Sequence, residues 1–172
     1  MNAQPILAVT LALFAAAAQA ETPQVDNTAD ATIEAQLNHA DGVYRDGDRL
    51  RVWVETNVAM HVYVLYHQED GQAVLLFPNP GRSDSRLNQA GRYGVPARND
   101  EVQCLVRGDF ESEAVQVLAS TVPVSPLEDA LTASEGSVPV LSTEKVNEIC
   151  QAHAEVESLA SVLLRVTLGS GE

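Results

Sequence analysis

The hydrophobic positions of this 172-residue chain fall mostly on a two-residue period. Over residues 32–38, Ile33, Ala35 and Leu37 alternate with Thr32, Glu34, Gln36 and Asn38, the pattern of a strand with one buried face. Leu50, Val52 and Val54 alternate with Arg49, Arg51 and Glu55 and predict a second strand after the turn Asp46-Gly47-Asp48. Residues 60–67 are continuously apolar and aromatic, and Asp70-Gly71 supplies a hairpin turn whose central residues need positive φ; residues 73–77 are the return strand. Two Val- and Leu-rich strands follow at residues 102–106 and 114–121, with a turn at Gly108-Asp109, and residues 162–168 alternate as a closing strand. Between these last two, Ser125-Pro126-Leu127-Glu128 has the form of a capping box, with Ser125 as N-cap and Glu128 reaching back. It predicts a helix to about Ala133, ended by Gly136, and a second short helix is expected from Glu144 to His153. The class is mainly β: an antiparallel β-sandwich or open barrel with one or two short helices in the C-terminal part.

The period breaks at residues 76–91, LFPNPGRSDSRLNQAG. Pro78 and Pro80 hold Phe77 and Asn79 away from helical geometry and each removes a backbone donor, so the strand must stop there. Leu87 is the large apolar residue between Phe77 and Tyr93, and is expected to plug the segment into the core. Gly91 and Gly94-Val95-Pro96 supply turns. The expectation is a crossing from one sheet to the other, fixed by Phe77, Pro78, Pro80, Leu87 and Gly91. Segments of this length are also where binding residues concentrate.

Charge sharpens that second possibility. The net charge is −14, with 24 acidic residues against nine arginines and Lys145, which argues against nucleic acid and anionic lipid as partners. Four of the arginines, Arg82, Arg86, Arg92 and Arg98, fall within residues 82–100 beside Asp84 and Asp100, making this the one basic region of an acidic chain. Either they pair with the acidic body or, with Asn79, they form a surface for an anionic ligand or the acidic face of a partner.

Residues 6–18 form an apolar run, and Ala18-Gln19-Ala20 before Glu21 has the small-x-small form of a signal-peptidase site. A run of thirteen residues falls short of the roughly 20 a membrane-spanning helix needs. Residues 1–20 are therefore expected to be a signal peptide, 21–30 a flexible leader and 31–172 one domain, periplasmic or secreted after cleavage between Ala20 and Glu21. In an oxidising compartment, Cys104 and Cys150 are expected to form a bridge.

A set of short motifs carries a resemblance: Tyr44, Gly47-Asp48, Tyr63-Val64-Leu65, Asp70-Gly71, Leu76-Phe77-Pro78-Asn79, Leu87, Ala90-Gly91, Pro96, Phe110, Glu113, Val117, Ala119-Ser120 and Pro123. Residues 43–123 resemble the bacterial family catalogued as domain of unknown function 4384. Members stand alone behind signal peptides or are appended to caspase-like peptidases, protein kinases and envelope proteins. The resemblance thus implies an accessory or binding role and brings no catalytic residues with it. Where members tend to carry Pro-Phe-Gly, this chain has Asp109-Phe110-Glu111.

Catalytic motifs are thin. His61 and His67 share a strand face with Tyr63 and Leu65, but six residues of strand span about 20 Å, too far for one metal. Asp46 and Asp48 lack the regular oxygen ligands of a calcium loop. No Gly-x-Ser-x-Gly elbow or glycine-rich phosphate loop occurs. No cofactor is expected. The expected function is an exported accessory or binding module engaging an envelope protein or a cell-wall component. The alternative is a small envelope hydrolase with acid and base from separate strands, which a pocket of convergent titratable groups would favour.

Overall fold

The computed structural model describes residues 31–108, 110–155 and 159–169. The expected signal peptide, the leader and Asp109 of the Gly108-Asp109 turn lie outside the described residues. The elements in chain order are β1 Ile33–Leu37, β2 Val43–Tyr44, β3 Arg49–Leu50, β4 Val52–Thr56, β5 Met60–His67, β6 Gln72–Phe77, β7 Arg86–Leu87, β8 Gly91–Val95, β9 Cys104–Leu105 and β10 Glu113–Ser120. Then come α1 Ser125–Ala133, β11 Val140–Ser142, α2 Thr143–Ala154 and β12 Leu159–Leu168.

The unbroken apolar run of β5 has a physical reason: both of its faces are covered. Val62, Val64 and Tyr66 enter one core with Val115, Val117 and Ala119 of β10 and with Leu37, Val52, Val54 and Val95 of a second sheet. Tyr63 and Leu65 enter another core, made with Ala73, Leu75 and Leu118 and capped by Val124, Leu127, Val146 and Ile149. Three layers result. A three-stranded sheet, β1-β4-β8, faces the larger sheet, β11-β6-β5-β10-β12-β2, whose opposite side carries α1 and α2. The fold is thus mainly β, a sandwich without barrel closure, with both helices in the C-terminal part. Pairing is antiparallel except between β12 and β2.

The irregular segment is a sheet-to-sheet crossing. A register shift between Val64 and Leu65 of β5 lets Leu76 bulge out of β6, so that Leu76 and Phe77 both turn into the sandwich core. The chain then makes a tight turn at Asn79, returns beside β5 as β7, where Leu87 pairs Met60, and crosses to run as β8 along β4. Leu87 is 4% exposed and lies in the sandwich core. Pro78 is buried, Pro80 is exposed, and Gly91 opens β8 opposite Thr56.

Four expectations are corrected. Residues 91–95, read as turns, are a strand, and the segment read as a strand at 102–106 shrinks to Cys104–Leu105. The N-cap of α1 is Val124, not Ser125, with no side-chain cap; its N–H donates instead to the Tyr63 hydroxyl at 2.9 Å. The Cys104–Cys150 bridge is not formed. Cys104 lies in the sandwich core and Cys150 packs into the helix-side core, so the larger sheet stands between the two free thiols.

Candidate functional site

The capping-box reading failed because Glu128 is used elsewhere. One turn into α1, its Oε1 accepts the Ser85 hydroxyl at 2.6 Å and the Tyr63 hydroxyl at 2.9 Å, and lies 3.8 Å from Nδ1 of His61. Ser85 sits in the crossing, where its carbonyl accepts the N–H of Val62 just before β7 begins. His61 and Tyr63 reach the same point because alternate residues of β5 share the helix-side face. Ser85 is 2% exposed and His61 9%.

Proton placement follows from donor counts. The single Ser85 proton lies on the short contact to Glu128, so Nδ1 of His61 is the donor across its 2.8 Å contact with Ser85 Oγ. The relay runs His61 to Ser85 to Glu128, with Tyr63 as a second donor to the carboxylate. Burial pushes the Tyr63 phenol up to about 12 and pushes the His61 imidazole down, against the pull of Glu128 and Asp84. Both therefore stay neutral at pH 7, a state that suits a floor held in fixed hydrogen bonds.

Above this floor opens a cleft of about 530 Å³ lined by His61, Pro80, Asp84, Ser85, Glu128 and Leu131, among others. One wall is the crossing and the other is α1 with the turn after it. Glu128, whose side chain is 38% exposed, is the part of the relay most open to solvent.

The arginines do not converge on one surface. Arg82 stacks over the Phe77 ring at 4.8 Å and reaches Asp100 at 3.7 Å, tying the crossing to the loop at 97–100. Arg92 lies over Trp53 at 5.0 Å on the outer face of the smaller sheet. Arg86 is exposed beside His61, whose register partner it is, and Arg98 is exposed in the loop after β8. Asn79 is fully buried: its amide nitrogen donates to the Leu76 carbonyl, and its side-chain oxygen accepts the N–H groups of Gly81 and Arg82. These contacts make it the pivot of the turn.

The two histidines also part company. His67 is held at both ring nitrogens, by Thr143 at 3.1 Å and Gln116 at 2.9 Å, in a polar lattice that joins β5, β10 and α2. A buried carboxylate, Glu113, accepts the Tyr66 hydroxyl on the sandwich side. No cluster of three or more metal-ligating side chains occurs among the described residues.

Residues 43–123, from β2 to the start of the α1 approach, match the model of a domain of unknown function, DUF4384. This segment is a DUF4384 domain. No curated protein and no solved structure matches the chain. The DUF4384 segment contributes His61, Pro80, Ser83, Asp84 and Ser85 to the cleft, whereas Glu128, Leu131 and the rest of the helical wall lie beyond it. The cleft is therefore a composite of the family domain and the C-terminal extension. Sequence reading missed it because its partners lie 43 and 65 residues apart, at spacings no local pattern reports.

Proposed function

We propose that this protein is an exported accessory module of the cell envelope that binds a protein or cell-wall partner, and that the cleft between the crossing and α1 is its seat. One observation carries this reading: a 530 Å³ opening floored by a preformed hydrogen-bonded relay and walled by two different parts of the chain. Pockets of this size with a few fixed polar groups are the usual form of a binding site. Export is supported by the apolar run and cleavage signal of residues 6–20. Among the described residues, no helix is long and apolar enough to cross a membrane.

The hydrolase alternative has one observation in its favour, the convergence of His61, Asp84 and Glu128 on the same cleft. The proton order weighs against a serine nucleophile. Ser85 gives its proton to Glu128, so the imidazole does not activate it as the base of a Ser-His-acid triad would.

A photo-crosslinking residue at Thr132, on the cleft wall, tests the seat in the protein expressed with its natural N-terminus. Intact mass of the recovered protein is expected to begin at Glu21 and to carry a defined adduct after illumination. A chain retaining Met1 would refute export, and an adduct pattern unchanged when the crosslinker is moved to the far sheet would refute the seat.

A further inference from the structure

The groups that line the cleft are unbalanced: they can accept far more hydrogen bonds than they can donate. Glu128 receives both of its hydroxyl donors at Oε1, and Oε2 has no partner among the described residues. Asp84 accepts the Arg86 N–H at Oδ1 and keeps Oδ2. The Thr132 hydroxyl gives its proton to the Glu128 carbonyl, so that its oxygen faces the cleft as an acceptor. His61 is nine-tenths buried and donates through Nδ1 to Ser85, which leaves Nε2 as a lone-pair acceptor with no partner among the described residues. Ser83 adds a hydroxyl that can serve either way.

Charge agrees with this count. Two carboxylates, Asp84 and Glu128, line the cleft, and Arg86 is the cation near enough to be felt at His61. The balance is one negative charge, within a chain of net −14 that draws cations toward it. The remaining lining is apolar, with Pro80 on one side and Leu131 on the other. A group with three donors, one positive charge and a hydrocarbon stem matches all three properties, and that group is a primary alkylammonium.

We propose that the cleft seats an alkylammonium group, its nitrogen held by the Glu128 and Asp84 carboxylates with His61 Nε2 as acceptor, and its methylenes lying on Pro80 and Leu131. This rests on the cleft being the binding seat. Such a group comes either from a free diamine or from the side chain of a lysine or related diamino acid in a peptide.

Binding is measured by titration calorimetry on the mature protein with 1,5-diaminopentane and, separately, with a lysine amide whose α-amine is acetylated. Saturable binding of either supports the proposal; preference for the diamine points to the free source and preference for the lysine amide to the peptide source. Glu128→Gln keeps an acceptor for Ser85 and Tyr63, and is expected to weaken binding about tenfold or more, the scale of one charge-assisted hydrogen bond. Asp84→Asn, at an exposed position, is expected to weaken it in the same direction without loss of fold. Equal binding of the Nε-acetylated lysine amide, affinity unchanged in both variants, or no heat from either amine would each overturn the alkylammonium assignment. The Thr132 adduct reads the seat independently: an adduct without amine binding refutes the ligand class alone, and loss of both refutes the seat as well.

Discussion

At the scale of single residues, the decisive fact is that His61 is held neutral. Burial is the main cause of its lowered pKa, Arg86 adds to it, and the carboxylates of Glu128 and Asp84 oppose it. The groups against the ring are Ser85 from the crossing and Glu128 from α1. With the folded pKa below the ordinary 6.5, the unfolded chain binds the proton more tightly. The stabilisation is therefore present above about pH 6.5 and is lost as pH falls through the folded-state value. Urea midpoints measured from about pH 8 down to pH 5 should decline, and His61→Gln should flatten that decline. A variant whose pH profile parallels the wild type would show that the imidazole is not held this way. The same proton would turn Nε2 into a donor and add a repelling charge, so amine affinity should fall over the same window.

At the scale of elements, the crossing is a pinned connection that also builds a wall. Leu87 is its anchor, and Leu87→Ala should destabilise the fold by ~2–5 kcal/mol, as truncation of a buried leucine does. The arginines divide by their contacts. Arg86→Ser should leave the melting temperature nearly unchanged, since it is exposed, while Arg82→Ser removes the stack on Phe77 and the link to Asp100 and should lower it measurably. Equal melting of both variants would show that Arg82 contributes nothing as a tie. How much of this was legible follows from the forces involved. The strands β10 and β12 were readable from their alternation, β5 from the unbroken apolar run that burial of both faces imposes, and β6 as its return across the Asp70-Gly71 turn. The strand β8 was not, because Gly91 and Gly94 interrupt its pattern. Gly94 lies under Trp53 of β4, where a Cβ would come within 3.1 Å of the indole, a constraint set by a neighbour in space. The helix α1 was placed correctly from Ser-Pro-Leu-Glu, yet the role of Glu128 was misassigned. Tyr63, some sixty positions earlier, supplies to the N-cap N–H the acceptor that Glu128 would have given in a capping box, and so frees the carboxylate for the cleft.

At the scale of the whole molecule, the larger sheet divides the chain into two cores, and the cysteines mark one each. Small exported chains with two cysteines commonly pair them, which made the bridge a reasonable expectation; layer position overrides it. Cys104 is 8% exposed among the sandwich residues, and burial with the nearby Glu113 carboxylate pushes its thiol up to about 12. Cys150 is half-buried on α2, its thiol raised by burial as well. Reaching Cys104 requires the two sheets to separate, and this is the global unfolding event. Reaching Cys150 requires α2 to lift from the larger sheet, which can happen while the sandwich stays closed, because α2 contributes a single turn-spaced set of apolar contacts, Val146 and Ile149. Alkylation pulses across a denaturant series, read by peptide mass, should therefore label Cys150 at lower denaturant than Cys104. Because α1 and α2 share the helix-side core, the same early transition should release the Glu128 wall and abolish amine binding before the β-sheet signal is lost. Simultaneous labelling of both thiols would show one cooperative core instead of two, and a linked Cys104–Cys150 peptide in protein isolated from its natural compartment would contradict the layered fold itself.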